Sequence, residues 1–220
     1  MADAGRPLGE FGNPPERWLE ILPRYAELQI GETEHASEHL AHGVPDLRLE
    51  RLSGLYRELP RAQLPLDASE VDALEAFAPR FDELCEELAN AGVGPTVQHD
   101  DLHMHNVYLR EDELRVLDWG DASISHPFFS LFETFRFLEQ NNGLHPDDPW
   151  FVRLRDAYVE PWGRSGALVD LALRVAGFAH AIAWVRQRDA LPEEDRGEFD
   201  VGFDEVLRLA IRLAFGSPSG

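Results

Sequence analysis

Between Thr96 and Pro127 the chain reads T-V-Q-H-D-D-L-H-M-H-N-V-Y-L-R-E-D-E-L-R-V-L-D-W-G-D-A-S-I-S-H-P, and this stretch limits the possible folds more than any other. His99, Asp100, Asp101, His103, His105 and Asn106 fall within eight residues, and Asp118 and Asp121 follow a short apolar repeat. A packed core does not accept carboxylates, amides and imidazoles at that density, because each buried one must find a partner. The cluster therefore belongs on loops held by a scaffold, where chemistry is usually placed.

The scaffold is read from periodicity. Thr96–Gln98 is a short strand candidate, and Val107–Arg110 and Leu114–Leu117 are two more, joined by Glu111-Asp112-Glu113, a length typical of a hairpin loop. Elsewhere the apolar residues recur at three- and four-residue steps, as in helices. Trp18, Ile21, Leu22, Tyr25 and Leu28 mark a helix from Pro15, with Pro23 expected to kink or divide it. Further helices are expected over Glu32–His42 and about Asp46–Leu59. Another starts at the capping-box sequence Asp67-Ala68-Ser69-Glu70 and should be bent by Pro79 before it ends near Gly92. After Pro127 helices are expected over Phe128–Gln140, Trp150–Val159, Gly166–Arg188 and Phe203–Phe215. The fold class is thus α+β and mainly α: a helical body with a small β-hairpin insert. Residues 1–14, rich in Gly and Pro, read as an extended lead-in, and residues 15–220 as the folded body.

Composition excludes several partners. Forty-one acidic residues against 20 basic ones give a net charge of −21 with histidines neutral. Nucleic acid is not expected, since binding it needs a concentrated basic face. Membrane is not expected either: an acidic surface repels anionic lipid, and no apolar run nears the ~20 residues of a span. No secretory leader is legible at the N-terminus, and the single cysteine, Cys85, cannot form an internal disulfide, so a cytoplasmic location is expected. All 20 basic residues are arginine. Any mechanism that needs a lysine from this polypeptide is ruled out.

The cluster itself admits three chemistries. Phosphoryl transfer needs a carboxylate for the attacking hydroxyl's proton and oxygen ligands for Mg²⁺. Asp101 and Asn106, five apart on one loop, can supply a base and an amide ligand, and a hairpin would return Asp118 to their side. Alternatively His99, Asp101, His103 and His105 alternate, and on a strand they would share one face and could hold a metal for hydrolysis. The third reading is structural, with imidazoles and carboxylates capping the loop's backbone; for His99 this is the favoured one.

H-D-D-L-H-M-H-N-V-Y followed by V-L-D-W-G-D-A resembles the aminoglycoside phosphotransferase family, a branch of the protein-kinase-like fold, whose catalytic loop runs His-x-Asp-x-x-x-x-Asn and whose metal motif is an Asp before Trp or Phe. R-W-L-E-I-L-P-R-Y-A-E-L-Q resembles the helix that opens that family's C-terminal lobe, so the resemblance spans about Pro15 to Phe215. It implies a protein-kinase-like C-terminal lobe that transfers a phosphoryl group from ATP to a small-molecule hydroxyl. Asp101 would be the catalytic base, Asn106 and Asp118 the Mg²⁺ ligands, and His99 a loop-shaping residue. His103 would support the cofactor-binding set with Asn106 and Asp118, and Asp121 would be either a second acid near the metal or a helix cap.

Two departures from the family stand out. His105 lies where the family often has glycine, so the loop's backbone angles could differ. In addition, no glycine-rich hairpin or strand lysine is found, and the N-terminal β lobe is expected to be missing from this chain. The sequence therefore predicts an incomplete enzyme whose partners are a small hydroxyl substrate, suited to carry positive charge, and a separate N-terminal lobe. A non-catalytic small-molecule-binding lobe, or a histidine/aspartate metal-dependent hydrolase, is the alternative.

Overall fold

The computed structural model describes residues 5–62, 66–110, 113–145 and 148–215, with the side chains of residues 197–201 left aside. In chain order the elements are β1 (Arg6–Pro7), α1 (Pro15–Glu32), α2 (Ala36–Ala41), α3 (Leu49–Glu58), α4 (Ala68–Asn90), β2 (Thr96–Gln98), β3 (Val107–Arg110), β4 (Glu113–Val116), β5 (Ser123–Ser125), α5 (Leu131–Asn142), α6 (Pro149–Val159), α7 (Gly166–Ala190) and α8 (Arg196–Phe215). Single turns of 3-10 helix join several of them. The protein is mainly helical with two small antiparallel sheets.

The chain divides into two compact units, residues 1–46 with 94–170, and residues 47–93 with 171–220. The first holds both sheets. In one, β3 is central, paired with β1 through Arg6↔Leu109 and Pro7↔Tyr108 and with β4 from Val107↔Val116 to Arg110↔Glu113. In the other, β2 pairs with β5 from Thr96↔Ser125 to Gln98↔Ser123. Residues 6–11, within the stretch read as an extended lead-in, are thus a strand and a 3-10 turn that buries Leu8. The helix α1 buries Trp18, Ile21, Leu22, Tyr25, Ala26 and also Gln29.

Gln29 shows how that unit tolerates polar groups in its core. Its amide donates to the carbonyls of Val97 (3.0 Å) and Pro127 (3.3 Å), and its Oε1 accepts from the Tyr158 hydroxyl (2.5 Å). The Thr96 hydroxyl donates to the Gln29 carbonyl (2.7 Å). Buried amides and hydroxyls that satisfy one another fix β2 and the Pro127 turn against α1 and α6 without leaving orphaned groups there.

The second unit is an aromatic core. Tyr56 of α3 stacks on Phe81 of α4 (centroids 4.2 Å apart) and meets the edge of Phe178 of α7 (5.1 Å), while its hydroxyl donates to the Leu74 carbonyl. The capping box expected at the start of α4 is formed: Asp67 Oδ1 accepts from Glu70 N–H and Glu70 Oε2 from Asp67 N–H, both at 2.9 Å.

Several expectations need correction. Pro23 does not divide α1, which runs on through it, and α4 likewise continues through Pro79. Each proline removes one intrahelical hydrogen bond, and the buried residues on both sides, Ile21, Leu22 and Tyr25 in α1, Phe77 and Phe81 in α4, hold the helix through that loss. The Glu32–His42 segment is a 3-10 turn followed by the short α2, and α3 begins at Leu49 rather than near Asp46. The strand β4 starts at Glu113; Glu111 and Asp112 of the expected hairpin loop lie outside the described residues. By length and composition α7 is apolar enough to cross a membrane, although Asp170 and Arg174 interrupt its apolar residues. With 61% of its most apolar window buried inside the protein, it equally fits a core helix.

Candidate active site

The dense polar stretch forms the loop between β2 and β3, and every part of it lies in the first unit. Its entry is fixed from below. The His99 N–H donates to the buried Tyr25 hydroxyl of α1 (2.9 Å), whose other neighbour is Ser130 Oγ (2.9 Å). Burial, opposed by these hydrogen bonds, pushes the Tyr25 phenol above its ordinary range, so it remains a neutral anchor. Thr134 of α5 donates to the Leu102 carbonyl (2.7 Å) and ties the middle of the loop.

The histidines are held by what their nitrogens contact. His99 Nδ1 accepts the Asp101 backbone N–H (3.2 Å), so the proton sits on Nε2, which donates to the Leu117 carbonyl (2.9 Å). Desolvation lowers its pKa, against the pull of the Leu117 carbonyl, Asp101 and Asp118, and keeps the ring neutral. The ring stands edge-on to Trp119 (4.8 Å), whose indole N–H donates to the Val116 carbonyl (2.9 Å). His99 therefore links the start of the loop to the end of β4.

His103 repeats the device one step on. Its Nδ1 accepts the His105 backbone N–H (3.1 Å), which leaves Nε2–H to face Asp101 Oδ1 at 3.1 Å. His103 is buried, and its ring packs on Phe137 (4.2 Å).

Asp101 is held from the other side by Asn106, whose Nδ2 lies 2.9 Å from Oδ2 and 3.0 Å from the Asp101 carbonyl. The carboxylate side chain keeps 36% of its surface open. A carboxylate has about four lone-pair sites, so donors on both oxygens orient it and still leave room for a hydroxyl.

With Nδ2 turned to Asp101, Oδ1 is the Asn106 atom able to ligate a cation. The Asn106 carbonyl accepts the Leu117 N–H (2.9 Å), which sets Asn106 opposite the residue before Asp118. Asp118 is exposed and adopts a left-handed backbone, φ 63° and ψ 60°, a region that short polar side chains enter more readily than others. Asp121 ends the 3-10 turn that follows and is also exposed. An amide oxygen and an open carboxylate are hard donors of the kind Mg²⁺ takes when substrate phosphates and water complete its shell.

Asp101, His103 and Asn106 are thus brought into direct contact, and Asp118 is joined to them through the backbone. The histidine metal centre is not built. Residues 99–106 form turns instead of a strand, and both nitrogens of His99 and of His103 are already engaged. Among the described residues no group of three or more His, Cys, Asp and Glu side chains is placed to hold a metal ion. His105, at the position where a glycine is frequent, does not take a positive φ; among described non-glycine residues only Asn13 and Asp118 do. Sequence reasoning read Tyr25 only as part of an apolar helix face and missed the supports Gln29 and Thr134, which in the sequence are ordinary polar residues of helices.

A mainly helical fold whose loop brings a carboxylate, an imidazole and an amide together agrees with the class that comparison with known proteins defines, the kinase-like phosphotransferases. Residues 34–167 match the phosphotransferase enzyme family (APH), and the chain belongs to that family. An ethanolamine kinase from Plasmodium vivax matches in structure with a TM-score of 0.53 at 12% identity, over 99% of this chain and 63% of that one. That likeness shows a shared protein-kinase-like fold, and the present chain spans just under two thirds of the length of that kinase. No curated protein matches the sequence.

Proposed function

We propose that this chain carries the base-and-metal half of an ATP-dependent small-molecule phosphotransferase, in the manner of a protein-kinase-like C-terminal lobe. The observation that carries the reading is the clamp on Asp101, with His103 Nε2 on one carboxylate oxygen and Asn106 Nδ2 on the other, in a loop whose Asn106 carbonyl is bonded to the residue before Asp118.

In the proposed reaction Asp101 accepts the proton of the acceptor hydroxyl as its oxygen bonds to the terminal phosphorus and the bond to the leaving diphosphate oxygen breaks. Asn106 orients Asp101 through Nδ2 and presents Oδ1, and Asp118 presents its carboxylate, to a Mg²⁺ ion. Bound there with nucleotide, that ion would neutralise charge on the phosphates. His99, neutral and doubly bonded, keeps the two halves of the site in register.

The acceptor is proposed to be a small hydroxyl compound. A net charge of −21 favours one that carries an amine, and the structural neighbour acts, by its name, on an amino alcohol. The 220 residues contain no lysine to clamp the phosphates. A separate N-terminal lobe is proposed to supply that contact and the glycine-rich cover, since half a nucleotide cleft holds the phosphates poorly.

Assay of the purified chain with Mg-ATP and a panel of hydroxyl acceptors is expected to give little or no turnover, and robust turnover would contradict the incomplete-site reading. With a kinase-like N-terminal lobe supplied, Asp101→Ala is expected to lower kcat by roughly a hundredfold or more with the fold intact. Unchanged turnover in that variant would mean that another group is the base.

A further inference from the structure

The turn that follows β1 meets the β2–β3 loop at a glycine, Gly9. Gly9 donates its N–H to the Met104 carbonyl (2.9 Å). A Cβ built on Gly9 would lie 3.0 Å from both Cε1 and Nδ1 of His105. Carbon atoms in contact rest about 3.5–4.0 Å apart, so even a methyl group there would have to displace the imidazole. Gly9 does not have a positive φ, so its backbone would accept alanine, and the conflict is one of space alone.

What makes the contact consequential is the relay behind it. The His105 ring lies edge-on to His103 (5.5 Å) and to Phe137 (6.5 Å). The His105 backbone N–H fixes His103 Nδ1, and His103 Nε2 in turn lies 3.1 Å from Asp101 Oδ1. We infer that Gly9 is a positioning residue, which acts through His105 and His103 to set the Asp101 carboxylate. The absent side chain at position 9 and the bulky one at position 105 form a matched pair: the imidazole occupies the room that glycine leaves. The inference rests on the reading of Asp101 as the base only for its functional meaning; the relay itself can be tested without turnover.

The test is NMR of the chain with ¹⁵N-labelled histidines, following the His103 Nε2–H resonance. Gly9→Ala is expected to shift this signal or to lose it to faster solvent exchange. In the double variant Gly9→Ala with His105→Ala, the signal is expected to return to the position it has in His105→Ala alone, a non-additive outcome that marks direct coupling. Arg6→Ala loosens the same turn by breaking its ion pair with Glu10 (2.7 Å) and leaves His105 untouched, so it is expected to leave the signal in place. An unmoved signal in Gly9→Ala, additive shifts in the double variant, or an equal shift in Arg6→Ala would each overturn the inference. If Gly9→Ala fails to fold, His105→Ala must restore folding in the double variant, and failure to do so would count equally against it. Loss of the relay with the phosphotransferase reading intact, or the reverse, is distinguishable, because the signal reports the contact of His103 Nε2 with Asp101 and not catalysis.

Discussion

His126 accepts the Phe128 N–H through Nδ1 (3.3 Å), so its proton sits on Nε2, a buried atom with no partner among the described residues. Burial pushes its pKa from 6.5 down to about 3. The sign of the consequence follows from linkage. Between those two values the unfolded chain binds a proton that the folded chain refuses, so stability falls as pH drops from 6.5 towards 3 and is untouched above 6.5. His126→Asn keeps an acceptor for the Phe128 N–H and removes the titration. Denaturant unfolding measured from pH 8 to pH 4 is expected to show the variant losing less stability than the parent below pH 6.5, and parallel curves would contradict this account. At this scale the sequence was informative about identities and poor about partners. The spacing of Asp101, Asn106 and Asp118 was readable because one hairpin enforces it. That His99 and His103 each give up both nitrogens to neighbouring groups depends on ring orientation, which leaves no periodic trace.

Among the elements, those with long periodic faces or a cap were legible. The strands β2 and β3, the capping box of α4 and the start of α7 fall where the pattern put them. The strands β1 and β5 did not, since their pairing is set by partners far along the chain and neither carries a local turn or periodic signal of its own. The link from α5 to the loop is of the same long-range kind: Thr134 Oγ1 donates to the Leu102 carbonyl, and both residues are buried. Thr134→Val preserves shape and strands that carbonyl, which is expected to lower unfolding stability by roughly 1–3 kcal/mol. Hydrogen exchange at Leu102 and His103 should rise along with it; a loss of stability with no change at those amides would show that the loop is held elsewhere.

For the molecule as a whole, membership of a phosphotransferase family and a shared kinase-like fold agree with a chain that has no lysine and a net charge of −21. These facts are compatible if the chain supplies the base and the metal ligands and another part supplies the phosphate clamp. The residue count and the two motifs that prompt this proposal are read directly from the sequence. The acceptor is not, because helices and loops that select a substrate share no common pattern. The most direct test of the central claim is an NMR titration of the chain with Mn²⁺ and ATP, the Mn²⁺ standing in for Mg²⁺ as a paramagnetic ion. Line broadening centred on Asn106 and Asp118, strong only when nucleotide is present and weakened by Asp118→Asn, is the predicted result. Broadening centred on other residues, or tight nucleotide-independent binding of zinc by the loop histidines, would contradict it.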